Sequence, residues 1–280
     1  MRSRANSIIS CGNYIGDGIA SLYIIFISMF GWRAAIQNMG MVGMLVGFSV
    51  LAFIKEPKRE SVAPAVEVET PPEPKVRKIH LLRNVFQNKI TKWVSIGTML
   101  KMSSPQAYYP IFFLRKFSNF SSEFAMLYAL ILAVCAPLSA MISGYFSDKY
   151  GVKYSMANSY IIMAGNFLAL PTLIGALVSP NFYVAMACLS LNILSGEGWR
   201  SPSIAMISKS VKSRQFGKML TAGQFFTDLA EAGSITFFGI LFGIFGCGTS
   251  TINLGIMIAS FGVLRYLGTS IAFHKAGNYI

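Results

Sequence analysis

The sequence predicts an all-α protein that crosses a membrane eight times. Three observations carry that expectation. Of the 280 residues, 54% are hydrophobic and only 12% are charged, with a mean hydropathy of +0.54, a balance that soluble domains of this length do not show. The apolar residues fall into eight long runs, over 6–29, 34–54, 93–114, 123–145, 154–178, 181–207, 216–244 and 250–273, and about 20 helical residues at ~1.5 Å each suffice to cross a bilayer. The cations also sort by side. With both termini in the cytoplasm, 18 of the 24 Lys and Arg residues fall inside: Arg2, Arg4, nine between Lys55 and Lys92, Lys149, Lys153, Lys209, Lys212, Arg214, Lys218 and Lys275. Only Arg33, Arg115 and Lys116 fall outside, which fits the excess of positive charge in cytoplasmic loops.

The first span follows Arg2-Ser-Arg4 and has no small-residue cleavage site at the right distance, so it reads as a span and not as a cleavable leader. The second span ends at Glu56-Pro57. Residues 55–92 form the one long polar segment. Its first part mixes Pro57, Pro64, Pro71, Pro72 and Pro74 with glutamates and cannot bury a core, which predicts a cytoplasmic linker. From Lys75 to Phe86, basic and apolar residues alternate at roughly helical spacing, as in a helix lying on an anionic inner leaflet. Six further spans follow. Between the fourth and fifth lies Gly144-Tyr-Phe-Ser-Asp148-Lys149-Tyr-Gly151, expected as a tight charged turn. Gly144 would admit a close neighbour, Gly151 would let the chain reverse, and Asp148 and Lys149 offer an acceptor and a donor at the water boundary.

That pattern, Gly-x-x-x-Asp-Lys-x-Gly, resembles the cytoplasmic loop signature of the major facilitator superfamily, which lies between helices 2 and 3 and, more loosely, between helices 8 and 9. An internal repeat points the same way. Ser3-Arg4 followed by Cys11-Gly12-Asn-Tyr-Ile-Gly-Asp17 parallels Ser213-Arg214 followed by Ala222-Gly223-Gln-Phe-Phe-Thr-Asp228, and both spans end in Phe-Gly, at Phe30-Gly31 and Phe245-Gly246. Parallel repeats suit a transporter built from two related halves. The resemblance implies a partial major facilitator fold, with helices 5 to 12 present and helices 1 to 4 absent. Residues 1–54 would be the last two helices of the N-terminal bundle, 55–92 the central linker, and 93–280 a C-terminal six-helix bundle. Gly196-Glu197-Gly198, Tyr109-Pro110 and the Arg2-Ser-Arg4 opening look most like the spinster-like branch, which is linked to organellar lipid and sugar transport.

An ionisable residue inside a span needs a partner or water. Asp17 in the first span and Asp228 in the seventh hold equivalent depths. Lys101 lies in the third span, and Glu197 and Arg200 lie in the sixth, three apart and so on one helical face, either as a self-satisfying pair or as a substrate site. Asp228 and Glu231 are like charges three apart. They form either a proton-coupling pair, since two close carboxylates cannot both ionise cheaply, or a pair neutralised by Lys101 or another cation. Arg265 in the eighth span is expected to snorkel to the cytoplasmic headgroups. By the resemblance, Gly144, Asp148, Lys149 and Gly151 form a gate with Arg4, and Arg214 is the counterpart of Arg4, whose own partner is expected in the loop between helices 2 and 3. Asp148 would meet the positive end of the first span there.

Other classes fit poorly. The net charge of +13 lies in membrane-flanking segments, which argues for topology and against nucleic acid. Cys11, Cys135, Cys188 and Cys247 are scattered singly and the two histidines, His80 and His274, lie in polar segments, so neither a disulfide framework, a metal site nor a cofactor is expected. No nucleophile has a base at helical spacing, which argues against an enzyme. The expected function is a secondary active transporter, working by alternating access on a small organic or lipid-like solute, with proton coupling through Asp228 and Glu231 and membrane lipids as surroundings. The alternative is a truncated, non-transporting membrane protein that acts as an interaction partner. Asn119-Phe120-Ser121 is a glycosylation acceptor pattern in a loop placed outside. The sequence leaves open whether the membrane is the plasma membrane or an endolysosomal one.

Overall fold

The computed structural model describes residues 2–54, 86–151, 153–211, 213–248 and 250–280, with the side chains of 2–3 and 213–215 outside the description. Among the described residues the chain forms eleven α-helices, two short 3-10 turns and no strand. They are α1 (Arg2–Ser21), α2 (Tyr23–Phe30), α3 (Trp32–Phe53), α4 (Lys89–Met102), α5 (Tyr109–Lys116), α6 (Ser121–Tyr150), α7 (Ala157–Val178), α8 (Phe182–Gly196), α9 (Arg200–Ser210), α10 (Ser213–Ile244) and α11 (Thr251–Gly277). Among the described residues, six rods are long and apolar enough to cross a membrane: α1 with α2, then α3, α6, α7, α10 and α11. The third and sixth predicted spans are each a broken helix, α4 with α5 and α8 with α9. The linker expected over 55–92, with its basic amphipathic helix, lies outside the described residues up to residue 85.

Both breaks have local causes. Pro105 lacks an N–H and disfavours helical backbone in the residue before it. Ser104 accordingly goes extended, at φ −120° and ψ 141°, and its hydroxyl accepts from the Gln106 N–H to start a new turn. At the second break Glu197 ends α8 between two glycines. A Cβ on Gly198 would sit 2.9 Å from the Ser143 Cβ and 3.0 Å from the Ser139 carbonyl oxygen, so only glycine lets this bend lie against α6.

The core lies among α4 to α8 and α11, where α7 packs on α8 and α11, and α11 packs on α4. The first rod runs along α6, its largest neighbour, and also touches α9. Gly18 permits that approach, because a Cβ there would lie 2.8 Å from the Ala133 Cβ and 2.9 Å from the Ala129 carbonyl oxygen. The second rod, α3, packs chiefly on α2; Ala35 alone of its residues is buried, so its apolar side chains face outward nearly all round.

One end of the rods gathers Arg4 with Asp148, Lys209 with the Gly151 carbonyl, Lys89 with Tyr279, and Lys275 with Trp93. The opposite end holds Arg115 and Lys116. Arg115 donates to the Cys247 carbonyl (2.6 Å) and Lys116 to the Leu177 carbonyl, at the ends of α10 and α7. Cations are thus placed on helix C-termini, where carbonyls are otherwise orphaned.

The charged turn differs from the sequence expectation. Gly144 to Tyr150 continue α6 as helix. Gly151 has φ −64°, ordinary right-handed backbone, so it does not serve as a left-handed reversal. Its constraint is space, since a Cβ would collide with the Ser147 carbonyl and the Asn158 side chain.

Gly18→Leu is expected to push α1 off α6 and to destabilise the protein by about 1–3 kcal/mol, an overpacking cost. Thermal unfolding in detergent checks this, and an unchanged midpoint would contradict the tight crossing.

Candidate functional site

The two helix breaks face each other and build a buried polar network. Glu197 Oε1 accepts from the Gln106 side-chain amide at 3.1 Å and lies 3.5 Å from Nη2 of Arg265. Arg265 Nη1 donates to the Ser104 hydroxyl at 2.7 Å. The Tyr14 hydroxyl, from the first rod, donates to the Glu197 carbonyl oxygen at 3.1 Å and lies 3.4 Å from Oε2 of the same residue. One carboxylate thereby ties α1, the two broken helices and α11 together.

A second base stands beside it. Lys101 is wholly buried and donates to Asn166 Oδ1 at 3.4 Å. Asn166 in turn donates to the Ser270 hydroxyl. The ring of Tyr266 is near both bases, with Lys101 Nζ 4.7 Å and the Arg265 guanidinium 5.1 Å from its centroid. Asn192 donates to the Tyr266 hydroxyl at 3.1 Å. Gly196 packs closely against this arrangement, since a Cβ would lie 3.3 Å from the Tyr266 hydroxyl.

Next to the network a polar cleft of about 180 Å³ opens between α1, α4, α9 and α10. Asn13, Thr98, Arg200, Ser203, Gln224 and Thr227 are among its lining. Thr98 and Thr227 share a hydrogen bond of 3.1 Å across it. Asp17, Asp228 and Glu231 are exposed, and Gln224 donates to Asp228 at 2.6 Å. Asp17 lies on α1, Asp228 and Glu231 lie about one turn apart on α10, and Arg200 opens α9 beside the cleft.

Two sequence readings are corrected here. Arg265 does not snorkel: it is 4% exposed and is held by Glu197 and Ser104. Glu197 and Arg200 are not a pair on one helical face, because the helix breaks between them and the guanidinium of Arg200 lies over the rings of Tyr14 (5.7 Å) and Trp199 (5.5 Å). Lys101 bonds to Asn166 and, among its described contacts, supplies no ion pair to Asp228 or Glu231.

At the end that gathers the termini, Asp148 Oδ2 accepts from the Arg4 backbone N–H at 3.3 Å and lies 3.8 Å from its Nε. The carboxylate on α6 thus caps the first turn of α1, where orphan N–H groups and the helix dipole both favour negative charge. Arg4 also lies over the Tyr145 ring at 4.9 Å. Lys149 faces the rings of Tyr145 and Tyr150, and Gly144 is buried. The side chain of Arg214 lies outside the described residues. Asn119 is exposed in a 3-10 turn at the opposite end.

Sequence reasoning missed Tyr14, Gln106, Asn166, Asn192 and Tyr266. A signal existed for some of them. Ser103-Ser104-Pro105 in the middle of an apolar run marks a break, and Asn166 and Asn192 are amides inside apolar helices, where polar side chains find partners on neighbouring helices.

Apolar rods, two of them broken where charged groups converge, define a polytopic membrane protein of the transporter class. A family model described as Major Facilitator Superfamily matches residues 1–235, and the chain belongs to that family of membrane transporters. No curated protein matches the chain.

Glu197→Gln would leave Arg265 buried without its counter-charge. It is expected to cost about 3–5 kcal/mol of stability, whereas Tyr14→Phe, which removes one neutral donor, should cost about 0.5–1.5 kcal/mol. Unfolding in detergent checks both, and equal losses would contradict the assignment of Glu197 as the centre.

Proposed function

We propose that the chain is a secondary active transporter that carries a small organic or lipid-like solute by alternating access. The observation that carries this reading is Tyr14 reaching from the first rod into the broken-helix network, at the same interface that Asp148 and Arg4 close at one end. In this reading residues 1–54 belong to one bundle and 93–280 to the other, and they correspond to helices 5 to 12 of the transporter plan. Rocking one bundle against the other breaks the Tyr14–Glu197 and Arg4–Asp148 contacts together. The polar cleft beside Asn13 and Thr98 receives the solute.

The distribution of cations supports an orientation with both termini in the cytoplasm. The Arg4–Asp148 contact is then a cytoplasmic latch, and Gly144, Lys149 and Gly151 shape the helix end that presents it. Proton coupling is assigned to Asp17, Asp228 and Glu231, because Asp228 and Glu231 are like charges about one turn apart on α10 that cannot both ionise cheaply away from water, and Asp17 holds the equivalent depth in the first span. The resemblance to the spinster-like branch supports a lipid-like or sugar-like solute. It leaves an endolysosomal membrane and the plasma membrane as alternatives.

Asp148→Ala should free the latch. A partly exposed pair of this kind is worth roughly 0.2–1 kcal/mol, so labelling of Asn13→Cys from the cytoplasmic side, in a background without the native cysteines, should rise about 1.4- to fivefold. Unchanged labelling would contradict the latch. A glycan on Asn119 in a glycosylating host supports the orientation; labelling of Asn119→Cys by a cytoplasmic reagent would overturn it.

A further inference from the structure

A second opening leads to Arg265 from the outer face of the bundle. Between α4, α10 and α11 runs a groove of about 360 Å³ whose walls include Leu100, Phe237, Phe261 and Leu264, with Ser103, Ser234 and Arg265 the polar groups along it. Leu100, Phe237 and Leu264 are 37%, 50% and 62% exposed, so the rim is open and apolar. Arg265 is 4% exposed. Its two terminal nitrogens are engaged by Ser104 and Glu197, yet Nε has no hydrogen-bond partner. A buried donor left in that state is unfavourable.

We infer that this groove binds a single-chain amphipathic anion of the fatty-acid type, entering sideways from the bilayer with its carboxylate on Arg265 and its chain along Phe237, Phe261 and Leu264. The charge of the ligand follows from the free guanidinium edge. Its chain follows from the apolar rim. Its source follows from depth: Arg265 lies near the middle of α11, roughly 20 Å from either end of the helix, so a water-borne anion would have to cross apolar surface to reach the groove from either end, whereas a membrane-dissolved one need only move sideways. The carboxylate on Nε would compete with Glu197 for Arg265 and so loosen the joint between the two broken helices. This deepens the carrier reading, on which it rests for its purpose, by naming a class of solute.

The test is the binding of a spin-labelled stearic acid, compared with its uncharged methyl ester, to the full chain reconstituted in phosphatidylcholine vesicles. The acid should be immobilised with about tenfold higher affinity than the ester, the worth of one charge-assisted contact. Gly233, which also lines the groove, has open space where its Cβ would lie, so Gly233→Leu should fill the groove, leave the fold intact and abolish the preference. Arg265→Gln should bring acid and ester to equal affinity while Arg265→Lys retains a preference. Equal immobilisation of acid and ester in the unaltered chain, or a preference that survives Gly233→Leu, would overturn the inference. Displacement by millimolar acetate or inorganic phosphate would overturn its membrane source. Because the readout is binding alone, a chain that binds the acid but moves no solute fails as a carrier and keeps this site, and a working carrier that ignores the acid loses the site alone.

Discussion

In apolar surroundings every broken peptide ladder and every charge must find a partner inside the protein, and in this chain one carboxylate meets much of that demand. Glu197 sits where α8 stops, accepts from Gln106 just past the other break, and lies against Arg265. Taking two such charges out of water costs several kcal/mol each. The pair is therefore tolerable only with its surrounding hydrogen bonds, and the positions of Ser104, Tyr14, Lys101 and Tyr266 follow from that need. Gly198 is the spatial condition for it, because a side chain there would displace α6.

The rod ends obey the same accounting with water nearby. Arg115, Lys116 and Lys209 each donate to a backbone carbonyl at or beside the end of a neighbouring helix, and Asp148 receives the first turn of α1. Long-range contacts of charge with helix termini hold rods in register without large apolar interfaces. The first two rods show the contrast: α1 is fixed by Gly18, Tyr14 and Arg4, while α3 has almost no buried face of its own.

Much of the fold was legible because its signal is coarse. Twenty-residue apolar runs, and cations that sort by side, depend on bilayer thickness and on loop charge, which sequence displays directly. The observed rods, from Ser121–Tyr150 to Thr251–Gly277, follow the predicted runs closely. The site was legible only in part. The pairing of Asp148 with Arg4 was legible through the family resemblance, which sets the end of that helix beside the start of the first span, where an acid suits a helix start carrying a base. The partner of Glu197 was misjudged, since helical spacing suggested Arg200, three residues on, whereas the helix ends at Gly196 and that spacing loses its meaning. Arg265 was misjudged for the converse reason. Long cations near helix ends reach for headgroups, but the distance to Glu197 is a tertiary fact that no local pattern contains. Gly151 was assigned a backbone role when its constraint is a neighbour, Asn158, seven residues later.

The central claim is that Glu197 and Arg265 act as one unit joining the two broken helices. A double-mutant cycle with Glu197→Gln, Arg265→Gln and the combined variant, read by unfolding in detergent, tests it most directly. The account predicts that the combined variant loses less than the sum of the single losses, by about 1–3 kcal/mol, as coupled neighbours do. Additive losses within about 0.3–0.5 kcal/mol would show two independent residues and contradict the account.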